Sequence, residues 1–474
     1  MQDISRRSIL ALTAVAMSAA GARAQTTASD LTTQVQAKLQ AMLAESRAPG
    51  CGVSVVHEGA VVMTQGLGLA SVPFAAPATE RTLFHMGSLS KQITASLVFE
   101  LADSGAIDLN DPVGAHAKGL PQAFARVPIR TLLGHTSGVP DYEGLEGFEA
   151  DRSIEREDFL TAASALPINF QPDEAWAYSN TGYVLLGYLL SDVTGRSYRE
   201  LVAERLLTPI GLAETRVDDA RAIIPGRAEP YVQEGDEVLH AVGMDRGYSG
   251  WPDGGVLMSA RDAAAWERAL QHGPTPGRSV LERLTTPMRL STGRSTAYGA
   301  GWFTDQIGGR PVQTHSGSVP GFTCISWRAP ATRTAVTVLV NSESGRVARF
   351  MREACLMLAE TVAPGSTPLS LAPIADDAPE VTAEALAMIT RGDRPLDAAR
   401  FAPEIATLIG GAAAPYVVPP NAGSDISGIT WTLVETAGEP GGSVRRYRLE
   451  RNGRVRHFSF AYAPDGRVYR VRTV

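Results

Sequence analysis

The spacing of apolar positions changes several times along the chain, and each change marks an element. Leu31, Val35, Leu39 and Leu43 recur at helical spacing and predict an amphipathic helix over 31–46. Two short apolar runs, 51–56 and 61–65, follow across Glu58-Gly59 and predict a hairpin. From about 88 to 285 the pattern is one of helical patches and loops, with its clearest helix over 183–193. β-rich runs return at 313–315, 323–327 and 334–340, and a helix over 346–359 closes the series. The whole predicts a mixed α/β (α+β) fold. Both ends of one domain supply an antiparallel sheet, helices flank it, and a large helical insertion lies between.

Pro364, Pro368, Pro373 and Pro379 punctuate the next stretch and predict a linker over 363–379, after a main domain over 25–362. A small α+β domain over 380–474 follows. Its helical patches fall at about 382–391 and 400–409, and its strands at 431–434, 444–449, 455–462 and 468–471. Asn452-Gly453 and Asp465-Gly466 are hairpin turns between the last three. That order is similar to cystatin and nuclear-transport-factor modules, a likeness of fold alone.

The amino terminus follows a different logic. Arg6 and Arg7 precede an apolar run over 9–20, and Ala22-Arg23-Ala24 places small residues before Gln25. This is the layout of an export signal over 1–24. Ser5-Arg6-Arg7-Ser8-Ile9-Leu10 resembles the twin-arginine form. The apolar run is about a dozen residues, short of the ~20 a membrane span needs. Cleavage and a periplasmic or secreted location are expected, with no stable membrane span afterwards.

Composition narrows the functional classes. The formal charge is −7, and losing the first 24 residues removes three arginines and one aspartate, so the remainder is more acidic. Such a chain has no general attraction for nucleic acid. Cys51, Cys324 and Cys355 are too few and too scattered to form a disulfide framework. No His-Glu-x-x-His occurs, and neither a metal nor another cofactor is expected. Arg445, Arg446, Arg448, Arg451, Arg454 and Arg456 crowd the last hairpins. They read as an anion-binding surface or, more plainly, as a solvated sheet face in an arginine-rich chain.

Lysine is rare: it occurs only at Lys38, Lys91 and Lys118. Lys91 belongs to Ser88-Leu89-Ser90-Lys91, which opens a helical run. Residues i and i+3 share a helix face, so Ser88 and Lys91 are expected to touch. A serine hydroxyl is a poor nucleophile until a neighbour accepts its proton. A desolvated lysine can do so, whereas arginine stays protonated. Tyr178-Ser179-Asn180 lies where a loop enters a helix; Tyr178 can relay a proton and Asn180 can hold a carbonyl. Alternatively Asn180 merely caps the helix. His315-Ser316-Gly317-Ser318 lies on a strand whose edge can pair with an extended substrate.

Together these motifs resemble those of the serine β-lactamase and penicillin-binding superfamily, and above all its class C branch, with D-Ala-D-Ala carboxypeptidases, D-aminopeptidases and esterases. The resemblance extends over about 33–360, through 130–140, 178–187 and 254–259. It implies a serine hydrolase with Ser88 acylated, Lys91 as base and Tyr178 as proton relay. Asn180, His315, Gly317 and Ser318 would bind substrate, and Ser88 and Ser318 would give their N–H groups to the oxyanion. The implied substrates are a β-lactam, a D-amino-acid peptide or a simple ester. A catalytically silent cell-wall-peptide binder on the same scaffold is the alternative. Two departures stand out: His315 replaces the lysine usual in class C β-lactamases, and Pro172-Asp173 stands where relatives often have Pro-Gly. His135-Thr136-Ser137-Gly138 is expected to be a structural loop without a catalytic role.

Overall fold

The computed structural model describes residues 28–145, 155–242, 250–392, 394–409 and 428–473. The expected export signal lies outside them. Seven antiparallel strands form the main sheet: β1 (Gly50–His57), β2 (Ala60–Ser71), β3 (Ala76–Pro77), β4 (Phe303–Ile307), β5 (Arg310–Val319), β6 (Phe322–Ala329) and β7 (Thr334–Val340). Their order is β3-β2-β1-β7-β6-β5-β4. β1 pairs with β7 in the register Cys51↔Val340, so both ends of the domain meet at the centre of the sheet, as the pattern predicts.

Helices α1 (Ala28–Ser46) and α5 (Gly345–Val362) cover one face of the sheet. Leu39 and Leu43 of α1 are buried with Phe350, Met351 and Leu358 of α5 in one apolar cluster. The insertion covers the other face through α2 (Lys91–Asp103), α3 (Asn180–Thr194) and α4 (Ala260–His272). Short strands that helical spacing hides lie within the insertion and just before it. Phe84–His85, Val256–Met258 and Arg216–Val217 form a three-stranded ribbon, and Tyr231–Glu234 pairs with Glu237–His240. Strands this short carry too few alternations to register as a pattern.

The expected linker is partly built into the fold: Ser366, Thr367 and Pro368 are buried, and Ile374 N–H donates to Leu433 O. Next come α6 (Pro379–Ile389) and a four-stranded antiparallel sheet in sequential order, β8 (Ile429–Glu439), β9 (Gly442–Arg451), β10 (Arg454–Tyr462) and β11 (Val468–Thr473). Ala385 and Ile389 of α6 pack on Tyr447, Phe458 and Phe460 of the sheet. Phe170, Ala175 and Ala177 of the main domain join the same cluster, so this domain is seated on the loop that leads to Tyr178.

The arginines of the last hairpins correct the expectation of a solvated face. Arg446 is fully buried and bonds to Asp305 of β4 at 3.1 Å and Glu435 of β8 at 2.9 Å. Arg445 pairs with Asp376 and Asp377 of the linker. Arg454 and Arg456 remain exposed. Arg446 therefore ties the sheet to the main domain and Arg445 ties it to the linker, while Arg454 and Arg456 keep the solvated character.

Candidate active site

Ser88 sits in a 3₁₀ turn, Gly87–Ser90, that runs directly into α2. In such a turn i and i+3 are eclipsed, and Lys91 Nζ lies 3.1 Å from Ser88 Oγ. Gly87 has φ +46°, and a Cβ there would come within 2.8 Å of Ser318 N. A Cβ on Gly317 would come within 2.9 Å of Ser88 N and 2.1 Å of Met86 O. Only glycine allows β5 to lie this close to the nucleophile turn. The Cys324 thiol donates to Met86 O at 2.8 Å and secures the same junction. All three cysteines are free and buried.

Lys91 is fully buried, and its ammonium donates to Ser88 Oγ, to Asn180 Oδ1 at 2.6 Å and to Asp253 O at 2.9 Å. Burial lowers its pKa to about 8, against the opposing pull of Asp253, Asp141 and Glu143. Asn180 Nδ2 in turn donates to Asp141 Oδ2 at 3.2 Å, which fixes the amide with its oxygen toward the lysine. Asn180 is the first residue of α3, and the cap is Ser179, whose Oγ accepts from Gly182 N. Helix capping and lysine binding are thus divided between neighbours. The buried Asp253 carboxyl accepts from Tyr142 OH at 2.9 Å.

Tyr178 is half-buried. Lys91 Nζ lies 4.9 Å from its ring centroid. Burial raises the phenol pKa well above its usual value, against a hydrogen bond with Ser88. His135 packs against Tyr178 with ring centroids 4.2 Å apart and the planes tilted by 37°, and its Nδ1 accepts from Ser179 N at 3.1 Å. The 135–138 loop therefore acts as a support beneath Tyr178. Asp173 explains the second departure: it adopts φ +65°, the left-handed region that glycine and, less readily, aspartate occupy. Its carboxylate accepts from Thr136 Oγ1 at 2.9 Å and pairs with Arg130 at 2.7 Å. The substitution ties the Tyr178 loop to the 130–138 stretch.

His315 is buried, and both ring nitrogens are engaged. Nδ1 lies 2.6 Å from Ser316 O and Nε2 lies 3.1 Å from Tyr298 OH. Burial, with help from Lys91, lowers its pKa to about 3, so the ring is neutral. It stacks on Phe303 at 5.3 Å. The structure thus brings Ser88, Lys91, Tyr178, Asn180, Gly317 and Ser318 together. It turns the His315 ring into the aromatic packing behind them. Sequence reasoning missed Asp141, Asp253, Tyr142 and Tyr298, which act across long separations. Asp253 does immediately precede the Gly254-Gly255 stretch that the family resemblance includes.

Among the described residues no cluster of metal-binding side chains occurs, and no helix is long and apolar enough to cross a membrane.

A family model described as Beta-lactamase matches residues 35–356. The chain is 30% identical over 312 residues to penicillin-binding protein 4* of Bacillus subtilis, covering 61% of this chain and 68% of that one. It is 28% identical over 320 residues to a D-aminopeptidase of Gluconobacter oxydans, covering 66% of this chain but only 59% of that relative's length. The D-amino acid amidase of Ochrobactrum anthropi SV3, solved with L-phenylalanine amide, matches with a TM-score of 0.60 at 25% identity, covering 70% of this chain and 97% of that one. The chain belongs to the beta-lactamase family and is a serine hydrolase.

Proposed function

We propose that the protein hydrolyses amide bonds of D-amino-acid peptides or amides through an acyl-enzyme on Ser88, within the class C branch and after export. The observation that carries this reading is the 3.1 Å contact between Ser88 Oγ and a buried lysine whose pKa is lowered to about 8. Near that pH an appreciable fraction of Lys91 is neutral and can accept the serine proton.

Ser88 Oγ attacks the carbonyl carbon as its proton passes to Lys91. The N–H groups of Ser88 and Ser318 receive the oxyanion, and the C–N bond then breaks. Tyr178, beside both Lys91 and Ser88, delivers a proton to the departing amine. Water attacks the ester with the same groups acting in reverse, which frees the acid and restores Ser88. Asn180 holds Lys91 in place and offers its amide to the substrate. His315 serves by packing behind Tyr178. The D-amino-acid preference is supported by the D-aminopeptidase and D-amino acid amidase relatives.

The test is the release of ammonia from D- and L-phenylalanine amide by purified protein. Turnover of the D form at least tenfold above the L form is expected. Equal or reversed turnover contradicts the stereochemical reading. Acylation of Ser88 without turnover of amides, esters or β-lactams favours the binding-protein alternative.

A further inference from the structure

The carboxyl-terminal sheet does more than rest on the main domain. β4 pairs with β5 only as far as Thr314, so residues 316–319 of β5 extend past it as a sheet edge beside the nucleophile turn. A cavity of about 470 Å³ opens along that edge, between β5, α5 and the last strand of the small domain. Ser316, Gly317 and Ser318 line it on one side, and Arg352, Arg456, Arg470 and Arg472 supply its charge.

These arginines differ in what they bind. Arg470 is committed to Glu439 through contacts of 2.9 and 2.7 Å. Among the described residues Arg472 donates only to Thr304 O, at 3.1 Å, and it lies 4.3 Å over the Phe303 ring, the ring on which His315 stacks. The carboxylate that acts on it, Asp305, is hydrogen-bonded to Arg446. Among the described residues neither Arg352 nor Arg456 forms an ion pair; burial and the like charge of Arg456 act on Arg352 more strongly than the opposing pull of Glu353. Three guanidinium groups that form no ion pair among the described residues thus face one cavity in a chain of net charge −7. Holding like charges together costs free energy unless an anion joins them, and a guanidinium fork matches a carboxylate in a bidentate way. The neutral His315 leaves this stretch of β5 without a positive charge of its own.

We propose that this interdomain cavity is a subsite for a substrate carboxylate, held by Arg472 and Arg352 while the scissile bond lies along β5. The small domain then determines which substrates reach Ser88, and the Arg446 clasp fixes the distance between the arginines and the nucleophile. The proposal rests on the hydrolase reading given above.

The test is calorimetric titration of N-acetyl-D-Ala-D-Ala and its carboxyl-terminal amide into full-length Ser88→Ala protein. The acid is expected to bind at least tenfold more tightly than the amide. Adding Arg472→Gln or Arg352→Gln, each checked for folding by thermal melting, removes that preference. Arg467→Gln takes the same charge from the turn before β11, outside the cavity, and leaves the preference in place. Equal affinity for acid and amide, no detectable binding of either, or a preference that survives both substitutions overturns the subsite. Catalysis is not needed for this readout, so a failure of the hydrolase reading shows separately, as absence of an acyl adduct on wild-type Ser88.

Discussion

Lys91 Nζ lies closer to Asn180 Oδ1, at 2.6 Å, than to Ser88 Oγ, at 3.1 Å. The amide is the stronger anchor, and it binds the lysine without adding a charge. A neutral partner lets burial keep the pKa near 8; a carboxylate in the same place would raise it.

The pH dependence follows from that neutral partner. The base form of Lys91 is the active one, so acylation of Ser88 is expected to rise with pH to a plateau, with a midpoint near 8. Below the midpoint, each pH unit lowers the rate about tenfold. Asn180→Asp moves the midpoint to higher pH by about one unit or more. Rates of covalent labelling between pH 5 and 10 measure both. A pH-independent rate, or a shift to lower pH in the variant, contradicts the role given to Lys91.

Asp173 separates backbone conformation from hydrogen bonding. Asp173→Ala loses the bonds to Thr136 and Arg130 and must also hold a β-carbon at φ +65°. Asp173→Gly loses the same bonds without the conformational cost. The alanine variant is expected to be less stable than wild type by about 1–3 kcal/mol, and the glycine variant by less. The Arg130 pair is partly exposed and contributes little of this. Urea unfolding ranks the three proteins, and a glycine variant less stable than the alanine variant would refute the conformational account.

Arg446 is the buried centre of the domain contact. Arg446→Ala leaves Glu435 without its cation and Asp305 with only the weaker pull of Arg472 and Arg470, and is expected to cost about 3–5 kcal/mol. Arg454→Ala, on the exposed part of the next strand, is expected to change stability by about 0.5 kcal/mol or less. Denaturant titrations of the two variants decide the matter, and equal effects would remove the clasp.

The parts of this molecule legible in its sequence are those whose signal is local. Ser88 and Lys91 share a turn, Tyr178 and Asn180 flank one helix start, and Gly317 and Ser318 share one strand. The strands and helices with long apolar repeats were equally plain, down to the pairing of the first strand with the last of the main sheet. The rest depends on distance in the chain. Tyr142 and Asp253 meet across 111 residues, and no local pattern announces that contact. His135 sits under Tyr178 because the backbone of Ser179 donates to it from 44 residues away. The Arg446 clasp reads as surface charge until β9 is seated on β4. Asp173 lies between the two cases: the absent glycine was visible, but the ion pair that compensates for it was not.

Ser88 as an activated nucleophile is tested directly by intact-protein mass spectrometry after exposure to a fluorophosphonate. One adduct per chain is expected, located on the peptide containing Ser88. It is absent from Ser88→Ala and forms roughly 10²–10⁴-fold more slowly in Lys91→Arg, where the base cannot give up its proton. A folded wild-type protein that takes up no adduct, or a Lys91→Arg variant labelled as fast as wild type, would contradict it.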